Sequence, residues 1–369
     1  MGLSRRGALG GIALGLAAGW NVSNVGAVAR ELARAYDVGL VTIGLFTTSL
    51  FLVHAAMQIP AGRLIDRFGG RRVGLVGLAV IAVSSLVTLA WQDPYFAIAG
   101  RGMTGIGTGL CFVAGSDYVR AGGGTPFAQG LFGGFGVGGG GLALAIVPQA
   151  ERLAGWRAPF VTALAIALIS SVALGLAPAD AARGERPRRG GLLADRGLYR
   201  FAIVHAASFG LSVVLGNWVV TLLERHGGYS SQKAGAVGAL TLALAIVSRP
   251  VGGWVVERRR ALVASFAACS LGTVALTAAH PLALVLVAAT AIGFAAGIPF
   301  SYAFTGAARA RPDAPAAAVG FVNMLAAATI LVGTPLLGFA FSRHADRIGV
   351  LVVAALFAAA LAALPSRRA

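Results

Sequence analysis

Gly62-Arg63-Leu64-Ile65-Asp66-Arg67-Phe68-Gly69-Gly70-Arg71-Arg72 separates two apolar runs, 39–61 and 73–91. It is a short, basic, glycine-punctuated loop in a chain that is otherwise mostly hydrocarbon. Of the 369 residues, 57% are hydrophobic and 12% charged, and the mean hydropathy is +0.81. A soluble domain carries roughly 25% charged residues, so this chain has too little charge to cover a water-facing surface. Its apolar residues recur in runs of about 20, the length that crosses a bilayer core of about 30 Å as a helix. Short alternating strands, the mark of a membrane β-barrel, are not seen in the sequence. The reading is an all-α, multi-pass membrane protein.

Twelve spans are predicted: 8–29, 39–61, 73–91, 95–118, 127–149, 158–177, 201–223, 231–254, 261–279, 281–305, 316–341 and 347–364. The long basic connection divides them into two sets of six. The expected organisation is an N-terminal bundle 1–178, a cytoplasmic linker 179–200 holding Arg183, Arg186, Pro187, Arg188 and Arg189, and a C-terminal bundle 201–369. Pro60-Ala61-Gly62 ends span two, and Pro250-Val251-Gly252 ends span eight 190 residues later, each followed by arginines. Two related six-helix bundles with a site between them is a common plan for secondary transporters.

The net charge of +17 is explained by topology rather than by nucleic acid. Starting from an inside N-terminus, 21 of the 30 Lys and Arg residues fall on the side of the Gly62–Arg72 loop and 8 on the other, with Arg101 inside a span. The positive-inside rule puts both termini in the cytoplasm of a cell membrane. Ser4-Arg5-Arg6 precedes an apolar run too long for a cleaved signal, so span one is read as uncleaved. Lys233 is the single lysine, and the Ala, Gly and Arg excess points to a GC-rich bacterial genome. Cys111 and Cys269 lie in apolar runs without ligand-spaced partners, so neither a disulfide framework nor a metal site is expected.

Gly62, Leu64, Asp66, Arg67, Gly69, Arg71 and Arg72 fill the pattern Gly-x-Leu-x-Asp-Arg-x-Gly-x-Arg-Arg, and the loop resembles the one after span two in the major facilitator superfamily. Arg101-Gly102-Met103-Thr104-Gly105-Ile106-Gly107 is similar to that superfamily's span-four motif, and Gly155-Trp156-Arg157 precedes span six as in many members. The resemblance implies alternating access by two rocking bundles, with the loop as a conformational latch formed by Gly62, Asp66, Arg67, Gly69, Arg71 and Arg72. Asp66 suits an arginine or a helix N-terminus, and Gly62 suits close helix approach. The second copy carries Val256 where the Asp would stand, with Glu257 one position later. The run Gly130–Gly141 and Arg249-Pro250-Val251-Gly252-Gly253 resemble the nitrate/nitrite porter branch, which clasps its anion with arginines from spans two and eight. Arg249 fits the second of these, but Gln58 occupies the first.

Polar groups inside spans are costly and face a cavity or another helix. Helical spacing groups Arg101, Thr104 and Thr108 in span four; His205, Ser208 and Ser212 in span seven; and Thr47, His54 and Gln58 in span two. Asn21, Asn24, Arg249 and Tyr302 complete the candidates for a substrate path. No carboxylate lies at mid-depth, so the path is expected to be neutral to positive and to favour an anionic or neutral solute. His54 and His205 are the mid-depth groups able to take a coupling proton. The expected activity is secondary active transport of a small molecule without cofactor. The rivals are a proton-coupled exporter of drugs or metabolites, a transporter-like sensor without flux, and a membrane enzyme. His54, His205, His226, His280 and His344 form no HExxH motif, and neither a Gly-x-Ser-x-Gly elbow nor a Walker loop occurs, which leaves no ATP site in the chain.

Overall fold

The computed structural model describes residues 5–179 and 191–364. Half of the predicted linker, including Arg183, Arg186, Pro187, Arg188 and Arg189, lies outside the described residues. The elements of the N-terminal half are α1 (Arg5–Ser23), α2 (Ala29–Ala35), α3 (Leu40–Phe68), α4 (Gly70–Ala90), α5 (Pro94–Ala121), α6 (Pro126–Ala154) and α7 (Ala158–Gly175). Those of the C-terminal half are α8 (Arg196–His205), α9 (Ser212–Gly227), α10 (Ser231–Ala243), α11 (Ala245–Trp254), α12 (Arg259–Leu276), α13 (Leu282–Ala295), α14 (Pro299–Ala310), α15 (Pro315–Ser342) and α16 (Asp346–Ala359). Among the described residues, 11 helical stretches are long and apolar enough to cross a membrane. One of them, Pro126–Gly175, runs for 50 residues and contains both spans five and six, broken where Gly155 takes φ 54°. The expected twelve crossings are thus present, with two of them joined.

Span seven starts earlier than its apolar run suggests. Asp195 accepts from the Gly197 N–H at 2.9 Å, which caps α8 and makes the last residues of the expected linker helical. Between α8 and α9 the chain forms a π-helical turn, Ala206–Leu211. Span ten is broken between α13 and Pro299, the residue that opens α14, as the proline suggests.

The two halves meet along two helix pairs, α3 with α15 and α6 with α11. Small residues let the backbones approach, the usual device where lipid supplies no hydrophobic drive between helices. A Cβ on Gly62 would fall 2.6 Å from the Ala316 carbonyl, and one on Gly320 would overlap the Gln58 carbonyl. The mirrored pair repeats this arrangement: a Cβ on Gly253 would overlap Phe127, and one on Gly130 would overlap the Arg249 carbonyl. The contacts across the seam repeat one residue out of step with the 190-residue sequence repeat: Gly253 takes the place of Gly62, while Gly252 lies against Ile298 in its own half. All these contacts lie toward the end that carries the Gly62–Arg72 loop, called here the basic end.

At that end the repeat breaks down. The N-terminus of α15 has Ala314 in the capping position and no side-chain cap of its own. The Asp66 carboxylate supplies one from the other half: Ala316 N–H donates to Oδ1 at 3.0 Å and Ala317 N–H to Oδ2 at 2.9 Å. The corresponding helix α6 is capped by its own Thr125, which accepts from Ala128 N–H at 3.3 Å. On that side of the seam, Phe127 and Trp254 stack at 4.9 Å between centroids.

The remaining latch residues have other roles. Arg71 donates to the carbonyls of Leu174 at 3.2 Å and Gly175 at 2.6 Å, which caps the C-terminus of α7 within its own half. Gly69 takes the φ of 92° that turns α3 into α4, and the exposed Arg67 lies over Phe68. Arg72 is exposed. Of the latch residues, Gly62 and Asp66 are the ones set against the other half, and the neighbouring Ile65 is buried in the same apolar cluster as Ala316.

Replacing Asp66 by Asn removes the charge from this cap. With the charge goes one of the two acceptor oxygens, and the expected loss is about 1–2 kcal/mol of the joined state, a factor of about 5–30 in its population. Ala308 is buried near the seam, and the native Cys111 and Cys269 are both buried. Maleimide labelling of Ala308→Cys should therefore become several-fold faster in the D66N background. An unchanged rate would show that Asp66 does not hold the seam.

Candidate functional site at the seam

Gln58, predicted as part of a stripe on span two, lies on α3 where it crosses α15. Its Nε2 donates to the His54 carbonyl at 3.0 Å. A carbonyl only accepts, so Oε1 is the atom that faces the other half, and it accepts from Asn323 Nδ2 at 3.0 Å. Asn323 then presents Oδ1 to His205 Nε2 at 3.2 Å. A buried chain of amides thus runs from α3 through α15 to α8, and its direction is set by the backbone carbonyl at one end.

His205 sits among rings. Phe209, from the π-helical turn, stacks on it at 5.5 Å between centroids, and Phe300 and Phe304 of α14 meet it at 5.7 and 4.9 Å. Arg249 of α11 lies over two of the same rings, 5.0 Å from Phe209 and 4.4 Å from Phe300. Its Nη1 donates across the seam to the Gly133 carbonyl at 2.7 Å. Arg249 is 3% exposed and its Nε has no partner, and His205 Nδ1 is likewise buried and unpartnered. No described carboxylate forms an ion pair with Arg249. The rings supply cation–π attraction of about 2 kcal/mol when desolvated, far less than a buried guanidinium loses with its water.

The other predicted residues separate into two groups. Arg101 is buried inside the N-terminal half, where Nη2 donates to the Asn21 carbonyl at 2.5 Å while Nε and Asn21 Oδ1 have no partner. Thr104 bonds the Gly100 carbonyl at 3.0 Å and Ser84 at 2.9 Å, and Thr108 bonds the Gly105 carbonyl at 3.2 Å and His54 Nδ1 at 3.0 Å. Asn24 ties α1 to α7 through the Pro159 carbonyl at 2.9 Å. Ser208 and Ser212 donate to their own helix, to the carbonyls of His205 at 3.4 Å and Ser208 at 2.6 Å. These hydroxyls act as local or interhelical ties. The half-buried Tyr302 packs its ring on Phe201 at 5.3 Å, with its hydroxyl unpartnered.

The structure brings together Gln58, His205 and Arg249, which the sequence left on separate spans, but not Arg101, which lies within one half. Asn323 was missed, although it stands alone as an amide in the apolar run of span eleven. Phe209, Phe300 and Phe304 were missed because a phenylalanine in a membrane span carries no signal of its own. Near the start of α15, the Arg311 guanidinium forks onto Asp313 at 2.9 and 2.8 Å. That hydrogen-bonded carboxylate holds Arg311 protonated more firmly than usual, with further support from Asp195 at 3.6 Å.

Two bundles related by a contact repeat, joined at one end, with buried polar groups on the seam between them, define a secondary transporter. The sequence model of the Major Facilitator Superfamily matches residues 9–334, and the chain belongs to that superfamily. It is 29% identical over 332 residues, 84% of this chain and 80% of the relative, to the "Probable nitrate/nitrite transporter NarK2" of Mycobacterium tuberculosis. It is 26% identical over 266 residues, 65% of this chain and 58% of the relative, to the gentisate transporter of Corynebacterium glutamicum. Its fold is similar to that of FucP crystallised in the outward conformation, with TM-score 0.73 at 15% identity over 97% of both chains.

A double-mutant cycle tests the amide chain. Gln58→Leu and Asn323→Leu should couple by about 0.6 kcal/mol, and by no more than about 1.7, in reversible unfolding of the purified protein. Additive effects would mean that the contact contributes nothing.

Proposed function

We propose that the chain carries a small anion across the membrane by alternating access, with Arg249 as the group that holds it. The observation that supports this reading is the buried guanidinium on the seam, which has one carbonyl partner, an unpartnered Nε and no described acid to pair with. A cation so placed is costly until an anion reaches it. Nitrate, nitrite and gentisate, the solutes named for two of the relatives, are all anions at neutral pH. Gln58 on the pseudo-equivalent helix contributes an amide rather than a second charge, so the site holds its solute with a single positive residue.

In this reading residues 1–178 and 201–369 rock as two bodies joined by 179–200. The basic end faces the cytoplasm, which puts both termini inside. The joined seam at that end then corresponds to a site reached from the outer face. Asn21, Asn24, Arg101, Thr104, Thr108 and His54 shape the N-terminal wall, and His205, Ser208, Ser212 and Tyr302 shape the C-terminal one. Arg101, tied to the backbone of α1, sets the position of that helix relative to α5 and is the second charge along the path.

Thermal unfolding of the purified full chain in sodium nitrate, sodium nitrite or sodium gentisate, against sodium chloride of equal ionic strength and against fucose, tests the solute class. At a hundredfold excess over Kd a true ligand stabilises by about 2.7 kcal/mol. At least one of the three anions should raise the midpoint, and Arg249→Gln should abolish that rise. Stabilisation by fucose and by none of the anions would sink the reading. Uptake of the stabilising anion into proteoliposomes should be lost in Arg101→Ala while membrane insertion is kept; wild-type uptake there would remove Arg101 from the path.

A further inference from the structure

We propose that His205 Nδ1 is the site of a coupling proton, taken up together with the anion held by Arg249. The inference rests on the anion reading above and adds the second passenger, its atom and its stoichiometry. It starts from the direction of the amide chain. The backbone carbonyl of His54 fixes Gln58, Gln58 fixes Asn323, and Asn323 presents an acceptor to His205 Nε2. The neutral imidazole therefore carries its single proton on Nε2, and Nδ1 is left as a buried lone pair with no partner. That atom can accept a proton without breaking any hydrogen bond already made.

The groups around it decide when it does so. From α11 comes Arg249, sharing the rings of Phe209 and Phe300 with His205. From α15 comes the neutral Asn323. From α14 come Phe300 and Phe304, with Tyr302 set against Phe201 of α8. On α8 itself, Arg200 lies over Phe201 at 5.3 Å, about one turn toward the basic end. None of these is an acid, and both charged neighbours are cations. With the site empty, a second positive charge beside Arg249 is opposed by repulsion and by burial. An anion seated on Arg249 cancels that charge, and the proton on Nδ1 then restores the charge of the empty site and donates to the anion. The pair that crosses is anion plus proton, with no net charge. When the halves part at the basic end, Gln58 leaves Asn323, His205 is opened to the other solution, and the proton departs to water.

His54 shares no ring with Arg249. Its Nδ1 donates to Thr108, whose own hydroxyl is committed to the Gly105 carbonyl, and the pair stays within one half.

Two measurements on the purified full chain test the proposal. The first needs no anion. Solid-state NMR of the ¹⁵N-histidine-labelled protein in lipid, with the His205 signals assigned by their loss in His205→Gln, should show the neutral Nε2–H form at pH 7. A neutral Nδ1–H form overturns the proposal whatever the solute is. The second is calorimetric titration of sodium nitrate, and separately of sodium gentisate, at pH 6, 7 and 8 in buffers of different ionisation heat. Wild type should take up close to one proton per anion at the pH where binding is steepest, with affinity falling up to about tenfold per unit rise in pH. His205→Gln should bind the anion more weakly, take up no proton and lose the pH dependence. Proton uptake that persists in His205→Gln, or anion binding by wild type without proton uptake, overturns the proposal while leaving the anion reading intact. Anion binding that persists in Arg249→Gln, or failure of both anions to bind wild type, overturns the anion reading and this proposal with it.

Discussion

The α3–α15 side of the seam is closed by the bond between the Asp66 carboxylate and the first turn of α15. Every helix begins with N–H groups that have no partner within it, and those of α15 have no cap of their own because Ala314 stands where a capping side chain would be. A carboxylate from the other half satisfies two of them and lies at the positive end of the helix dipole. The close approach at Gly62 and Gly320, the Gln58–Asn323 bond and the orientation of His205 all require the seam to be shut at this place. The bond therefore connects the loop at one end of the molecule to the polar site some turns away.

The seam also explains why a pseudo-symmetric protein has an asymmetric site. The same geometric position is filled by Gln58 on α3 and by Arg249 on α11, each reaching the opposite half beside a glycine contact. One contributes a neutral amide relay, the other a charge. In the proposed function, a charge on one wall and a titratable ring joined to a relay from the other wall hold the solute and its coupling ion by different chemistry. Symmetry would have placed either two cations or two amides there. Among the described residues, the mid-depth helices add no carboxylate to oppose the charge.

Much of the fold could be read before any coordinates. Apolar run length gave the crossings, arginine placement grouped the loops at one end, and Pro60 and Pro250 marked the repeat, since each of these signals is local or periodic. Some boundaries shifted: α3 runs on to Phe68 and α4 begins at Gly70, so most of the expected Gly62–Arg72 loop is helical, and α8 starts early because the capping residue Asp195 lies beyond the apolar run. The site was legible only in part. Gln58, His205 and Arg249 stand out because a polar side chain in a membrane span needs a reason. Their assembly does not, because the partner of Gln58 is 265 residues away and no spacing rule reaches that far. The π-helical turn that brings Phe209 over His205 has no sequence signature, and helical spacing counted through it misplaces Ser208 and Ser212. The destination of Asp66 is written only as something missing, the cap that Ala314 does not provide.

The two sides of the basic-end seam are held by different physics, and temperature acts on them differently. On the α3–α15 side the link is a buried carboxylate on a helix end, whose strength changes little on cooling. On the α6–α11 side, α6 already has its cap in Thr125, and the rim contact is the stack of Phe127 on Trp254, whose ring is largely exposed. Apolar association weakens in the cold. A chain from a cold-living bacterium that used this plan would lose the ring side first and keep the carboxylate side, and its halves would part like a book from one edge rather than as two plates.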